Sequence, residues 1–326
     1  MVNVPLVCRL FGVDVLTHVA PPWVCRGTGP VALEIVPFDS GGPDAVPSGP
    51  PALSVQMWHP DGEGPYEVWP SGEAIVLRVN PVAVFRCSPG RIEYRCLDGV
   101  PDGALPWQAF GLVMSVWSEL IGRPVLHGAT VQVAGAAVAF LGSSGAGKSS
   151  LTMEFVKQGH AAFGDDQLVL DARPDAVYVM PAVPWLKIGP AIASYGGLDP
   201  AALPRFHSDF EKRRLDLTEG QWAQAPSHLG PIYLLERGWA RPEVVIEPMG
   251  PAESLMALLH QSYVPRTVVA TGLAARRMPL LVRAATQAGV WRLKYPDGVE
   301  WLPEVRAAIV RHQAERLSGS PAQSPR

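Results

Sequence analysis

At 326 residues, with 48% hydrophobic and 17% charged side chains, the chain is long enough for one large domain or two ordinary ones, and its composition excludes wholesale disorder. A formal net charge of −3 excludes a strong basic field for nucleic acid or an anionic membrane surface. No segment approaches the ~20 uninterrupted apolar residues of a membrane helix, and the N-terminal MVNVPLVCRLFGVDVL lacks the basic start and apolar run of a signal peptide, so a cytoplasmic, soluble protein is expected.

Residues 1–105 read as β-rich, with short strands at 31–36, Ala74–Val79, 82–87 and Arg91–Cys96 between Gly, Pro, Asp and Asn turns. Residues 39–51 read as a mobile loop. None of Cys8, Cys25, Cys87 and Cys96 has CxxC spacing, which argues against a zinc or thioredoxin-like site. Cys87 and Cys96 could face each other across a hairpin, but reduced thiols are the expected state.

The character changes near Pro106. Phe110, Val113, Met114, Trp117, Leu120 and Ile121 recur at helical spacing and predict a helix over 107–121. Strands follow at Val125–Val133 and Ala136–Leu141 with Gly135 as the turn, then a glycine loop and a helix over 148–158 stopped by Gly159. Further strands are expected at 168–170, 176–179, 232–235, 243–248 and 290–293, and helices at 254–259, 267–288 and 302–316. The polar stretch 318–326 reads as a disordered tail.

Gly142-Ser143-Ser144-Gly145-Ala146-Gly147-Lys148-Ser149 fits G-x-x-x-x-G-K-[ST], with Ser150 following. Glycines let the backbone curl so that successive N–H groups face phosphate oxygens, and the helix behind the loop adds its positive end. In this pattern Lys148 reaches the β- and γ-phosphates and the Ser149 hydroxyl ligates Mg²⁺. The apolar strand entering the loop and the helix leaving it are the context the motif requires.

Asp165-Asp166 follows a short apolar segment. Adjacent carboxylates can take different roles when a metal or a neighbouring charge separates their acidities, although a solvated turn is the ordinary reading of such a pair. His127 lies on the strand before the loop strand. If the two pair as a hairpin, His127 sits near the phosphate end, within reach of a carboxylate or phosphate.

The block 127–170, HGATVQVAGAAVAFLGSSGAGKSSLTMEFVKQGHAAFGDDQLVL, resembles HPr serine kinase/phosphorylase. That family likewise places His-Gly before a hairpin, a GxSGxGKS loop, a helix ending in Gly-His and an Asp-Asp pair, at matching intervals. The resemblance implies that Asp165 takes the proton of a serine hydroxyl, that Asp166 orients it or helps Ser149 hold the metal, and that His127 assists. It also implies a nucleotide-binding core shared with phosphoenolpyruvate carboxykinase, and a homo-oligomer. Two departures stand out. Ser150 replaces the family's Glu, and Val183-Pro184-Trp185-Leu186-Lys187-Ile188 stands where the family has Arg-Gly-Leu-Gly-Ile-Ile-Asn. A closer likeness is to the HPr-kinase-like enzymes of peptide-tailoring systems, including lasso-peptide kinases, at Lys212-Arg213-Arg214-Leu215 and Trp291-Arg292-Leu293-Lys294-Tyr295-Pro296. Those enzymes phosphorylate a serine at the end of a precursor peptide.

Lys212, Arg213 and Arg214 would form a basic loop closing over ATP, with a solvated charged turn as the alternative. Lys187, among apolar residues, could touch phosphate or substrate. Ile232-Tyr233-Leu234-Leu235-Glu236 looks like a Walker B strand but reads better as a core strand with an exposed Glu. Trp185, Trp222, Trp291 and Trp301 read as packing residues, because no basic interleaving accompanies them.

The expected architecture is α/β: a P-loop kinase core of the HPr kinase/phosphoenolpyruvate carboxykinase type over 106–317, preceded by a small β-rich domain over 1–105. The expected reaction moves the γ-phosphoryl of MgATP to a serine of a peptide or small protein. A small-molecule hydroxyl kinase and an ATPase or nucleotide switch without acceptor are the competing readings.

Overall fold

The computed structural model describes residues 5–23, 27–38, 46–59, 62–100, 103–205 and 211–319. Cys25, most of the expected loop at 39–51 and nearly all of the expected tail lie outside them. The chain forms two units: one takes the described residues of Met1–Val125 and Tyr263–Pro279, the other those of Leu126–Phe206, Glu211–Ser262 and Leu280–Arg326. The division falls at 125/126 rather than 105/106, and it is not contiguous in sequence.

The first unit carries β1 (Leu6–Leu10), β2 (Val13–Thr17), β3 (Val31–Pro37), β4 (Leu53–His59), β5 (Gly62–Ser71), β6 (Ala74–Val79), β7 (Ala83–Ser88) and β8 (Arg91–Cys96) in one sheet of order β1-β2-β3-β8-β7-β6-β5-β4. Strand β8 shows why it is a strand: Ile92 and Tyr94 are buried while Arg91, Glu93 and Arg95 are not. Behind the sheet, α1 (Ala104–Gln108) runs through a π-helical turn at Ala109–Val113 into α2 (Met114–Leu120). Trp117 Nε1 donates to Pro89 O at 2.8 Å, fixing α2 on the β7–β8 turn.

Among the cysteines, Cys8 departs from the expected reduced state, whereas Cys87 and Cys96 meet it. Cys8 is buried and disulfide-bonded. Cys87 and Cys96 are free, because Cys87 pairs with Ile92 and Cys96 with Ala83, which separates them along the hairpin.

In the second unit, β9 (Val125–Val133) and β10 (Ala136–Leu141) form a hairpin whose turn, Ala134 at φ 48° and Gly135 at φ 82°, has the paired positive φ of the tightest hairpins. The register places Leu141 opposite Gly128, so His127 sits beside the start of the glycine loop. Next in the chain come α3 (Lys148–Lys157), β11 (Ala162–Gly164), β12 (Gln167–Ala172), β13 (Val177–Met180), β14 (Trp185–Ile188), α4 (Pro190–Tyr195), β15 (Arg213–Asp216), β16 (Ser227–Arg237), β17 (Val245–Pro248), α5 (Pro251–His260), α6 (Pro265–Ala270), α7 (Ala274–Ala288), β18 (Val290–Tyr295) and α8 (Leu302–Leu317), of which α6 and the first part of α7 belong to the first unit. The expected single helix over 267–288 is two, broken where Gly272 adopts φ 72°; a left-handed glycine ends a helix.

The main sheet runs β10-β9-β12-β13-β16-β18-β17, and β16 also pairs with β10 in parallel, so five strands close on themselves. Strand β10 is therefore buried on both faces, as its unbroken apolar run requires. Ala137, Ala139 and Leu141 enter a core with Leu168, Leu281 and Val290. Val138 and Phe140 enter another with Leu151 and Phe155 of α3 and Val305 and Ile309 of α8. The architecture is α/β, and the glycine loop emerges from a strand buried at every residue but its first.

Candidate active site

The loop between β10 and α3 takes positive φ at Gly142 (149°), Gly145 (86°) and Gly147 (99°), values that L side chains resist. Gly147 is confined further: an added Cβ would lie 2.4 Å from Tyr295 Oη, which donates to Ala146 O at 2.9 Å. Arg237, ion-paired with Asp297, lies 3.5 Å from Gly145 O. α3 begins with no side-chain cap, so its first-turn N–H groups are left to the loop mouth. A glycine is needed beside His127 as well, since a Cβ on Gly128 would meet Leu141 Cδ2 at 2.6 Å.

Lys148 is 6% exposed and donates to Gly142 O at 2.7 Å and Ser143 O at 3.1 Å. Burial lowers its pKa against the opposing pull of Asp166 and Asp165. Its neighbour Ser149 donates to Asp165 Oδ1 at 3.0 Å. The other oxygen of Asp165 accepts the Lys187 backbone N–H at 2.8 Å. Asp165 is thus buried with both oxygens engaged, and burial together with the Asp166 charge raises its pKa.

Asp166 differs in its backbone and in the atom of Lys187 that it meets. It takes φ 73°, and its carboxylate pairs with the Lys187 ammonium. Burial alone would raise its pKa, but the Lys187 and His127 charges outweigh it and hold the group below the usual carboxylate range. His127 is pushed down by burial first and by the Lys148 ammonium second.

The structure therefore brings Lys148, Ser149, Asp165, Asp166, His127 and Lys187 together. Lys212 joins electrostatically: its charge acts on Asp166, His127 and Lys148. The rest of the basic run is turned elsewhere, Arg213 Nε to Pro200 O at 2.9 Å and Arg214 Nε to Asp216 at 2.8 Å. Ser150 follows Ser149 on α3, and Ser143 and Ser144 lie in the loop.

Among the described residues no three His, Cys, Asp or Glu side chains cluster to hold a metal by themselves. Ser149 Oγ and Asp165 Oδ1 are adjacent oxygens of the kind Mg²⁺ accepts alongside nucleotide phosphates. The carboxylate beside Ser149 is Asp165, not Asp166, because Lys187 has drawn Asp166 the other way.

Sequence reasoning missed Tyr295 and Arg237 at the loop, and the bond from Lys187 to the acid pair. Glu236, at the end of the Walker B-like strand, is ion-paired with Arg292 and takes no part in this cluster.

Residues 118–187 match the family described as HPr Serine kinase C-terminal domain. The HPr kinase/phosphorylase of Limosilactobacillus reuteri is 36% identical over 85 residues, 26% of this chain and 27% of that protein. That of Lactobacillus johnsonii is 33% identical over 81 residues, 25% of each. That of Prosthecochloris aestuarii is 29% identical over 99 residues, 30% of this chain and 24% of that protein. The chain thus matches about a quarter of the length of these curated relatives. The HPr(Ser) kinase/phosphatase structure from Coxiella burnetii aligns at 12% identity and a TM-score of 0.35, over 60% of this chain and 99% of that one. The likeness to HPr kinases thus lies in residues 118–187, from the end of α2 into β14.

Proposed function

We propose that the chain is a MgATP-dependent kinase that moves the γ-phosphoryl group to a serine hydroxyl of a peptide or small protein. The observation that carries this reading is the meeting of the phosphate-loop residues Lys148 and Ser149 with two carboxylates in opposite electrostatic states. A phosphate-binding switch needs the first pair; an acceptor hydroxyl needs the second.

The loop N–H groups and the start of α3 bind the phosphates. Lys148 exchanges its two loop carbonyls for phosphate oxygens. Ser149 and Asp165 would hold Mg²⁺, which would supply charge neutralisation at the phosphoryl oxygens. Asp166 is the more accessible carboxylate, its side chain 16% exposed against 1% for the whole of Asp165, and it is held ionised. It accepts the hydrogen bond of the acceptor hydroxyl and then its proton. A new bond forms between the acceptor oxygen and the γ-phosphorus, the γ-phosphorus to β-oxygen bond breaks, and ADP leaves. Because such transition states are loose, orienting the hydroxyl matters more than a strongly basic carboxylate. This assignment reverses the roles implied by sequence resemblance for Asp165 and Asp166, and the cause is Lys187.

The matched relatives are kinases named for a protein substrate, which supports a macromolecular acceptor over a free small alcohol. Likeness to the lasso-peptide kinases at Lys212–Leu215 and Trp291–Pro296 supports a precursor peptide ending in serine. A reaction drawing on ATP fits a cytoplasmic protein. The test is transfer from γ-labelled ATP to serine-terminated peptides, free serine and sugars. Asp166→Asn should lower transfer by ~10²–10⁴-fold with nucleotide affinity nearly unchanged, whereas Asp165→Asn should weaken Mg-nucleotide binding itself. Labelling of small alcohols alone would refute the peptide acceptor, and full transfer by Asp166→Asn would refute the assigned base.

A further inference from the structure

Two adjacent carboxylates withdrawn from water require a positive partner, and in phosphoryl-transfer sites that partner is often a second divalent ion. Here the partner is part of the chain. Lys187 serves both acids through two different atoms: its backbone N–H donates to Asp165 Oδ2 at 2.8 Å and its ammonium pairs with Asp166. The placement is built into the fold. On β14, Trp185, Leu186 and Ile188 are buried, and β15 holds the strand in register with Lys187 opposite Arg214. The Lys187 side chain is only 18% exposed, and its charge also reaches His127.

We infer that the Lys187 ammonium is the fixed second cation of this site, so that the enzyme takes one divalent ion per chain, the one that arrives on the nucleotide. The inference rests on the kinase reading and deepens it: Lys187 holds the Asp166 carboxylate in place, and Ser149 with Asp165 is left as the single ion-binding pair. A lysine is a compact, strongly hydrated point charge and can stand where a hydrated cation would.

The experiment is titration of the wild-type chain with Mn²⁺ in the presence of a non-hydrolysable ATP analogue, followed by electron paramagnetic resonance. One tight Mn²⁺ per chain is expected. Lys187→Glu, which replaces the cation by a ligand, should raise the count to two. Lys187→Ala should lower the transfer rate by roughly 10²-fold with nucleotide affinity within a few-fold, and Lys187→Arg should recover part of it by restoring charge. Two tight Mn²⁺ ions in the wild type, or an Lys187→Ala chain that transfers at the wild-type rate, overturns the inference while leaving the kinase reading intact. A wild-type chain that binds no nucleotide overturns the kinase reading itself, and this inference with it.

Discussion

Gly147→Ala isolates the geometry of the phosphate loop. Two costs arise. An alanine at φ 99° is strained by roughly 1–2 kcal/mol. Its Cβ would lie 2.4 Å from Tyr295 Oη, and Tyr295 is buried, so the contact is relieved only by breaking the Tyr295–Ala146 hydrogen bond, about 1 kcal/mol. The loop escapes both costs by moving, and moving misaims the N–H groups that hold phosphate. A fluorescent ATP analogue titrated in Mg²⁺ should therefore bind roughly 30- to 150-fold more weakly, the equivalent of about 2–3 kcal/mol. Tyr295→Phe separates the two costs. It removes the clashing oxygen and leaves nothing closer than 3.7 Å, an ordinary contact. In that background Gly147→Ala should cost only the backbone strain, roughly 5- to 30-fold. An identical penalty in both backgrounds would refute the steric argument, and a penalty below threefold would refute the role given to the loop geometry.

Two buried groups predict opposite responses to pH. Burial pushes Glu119 up to about 7 against the Arg277 charge, and a raised folded pKa means stability that is full below about 4.3 and lost as pH rises through about 7; Glu119→Gln should abolish that loss, on the order of 3 kcal/mol, in unfolding measured across this window. Burial first and Arg316 second hold His312 down to about 4, so its contribution is present above about 6.5 and lost as pH falls through about 4. His312→Gln, which keeps an acceptor for the Tyr233 hydroxyl at His312 Nδ1, should remove that acid sensitivity. Since Glu119 lies in the first unit and His312 in the second, hydrogen exchange should show β7–β8 gaining protection on mild acidification and β16–α8 losing it; the same direction of change in both would refute the pair.

What the sequence revealed was local. The β9–β10 hairpin turns on Gly135, the phosphate loop is contiguous, α3 ends at a glycine, and β8 alternates within six residues. What it hid was non-local. Nothing within β16 says that it pairs with β10 in parallel and with β13 in antiparallel sense, because each pairing is settled by a strand far away in sequence. The small sheet of β14 and β15 joins residues as distant as Lys187 and Arg214, and neither segment is long enough to show a period. The break at Gly272 lies inside a continuous helical pattern, where one left-handed glycine outweighs the periodicity around it.

The acid pair shows why a motif is not a mechanism. Asp165 and Asp166 are adjacent letters, and their order alone assigns no roles. The two carboxylates part because the turn at Asp166, φ 73°, sends the second one away from Ser149, and because Lys187 is delivered by a strand that starts nineteen residues later, as the numbering of Asp166 and Trp185 shows. The family match ends at Lys187, so it spans the phosphate chemistry and stops at the residue that divides the carboxylates. Beyond that point lie Lys212, which reaches the site electrostatically, and Arg237 and Tyr295, which hold the loop from β16 and β18. The matched segment thus holds the glycine loop, the acid pair and Lys187, while the side chains that brace the loop, Arg237 and Tyr295, come from β16 and β18 outside it. Arg237→Ala, which removes the contact to Gly145 O, should therefore weaken binding of an ATP analogue and leave the choice of acceptor unchanged, and an unchanged ATP affinity would refute the bracing of the loop from outside the matched segment.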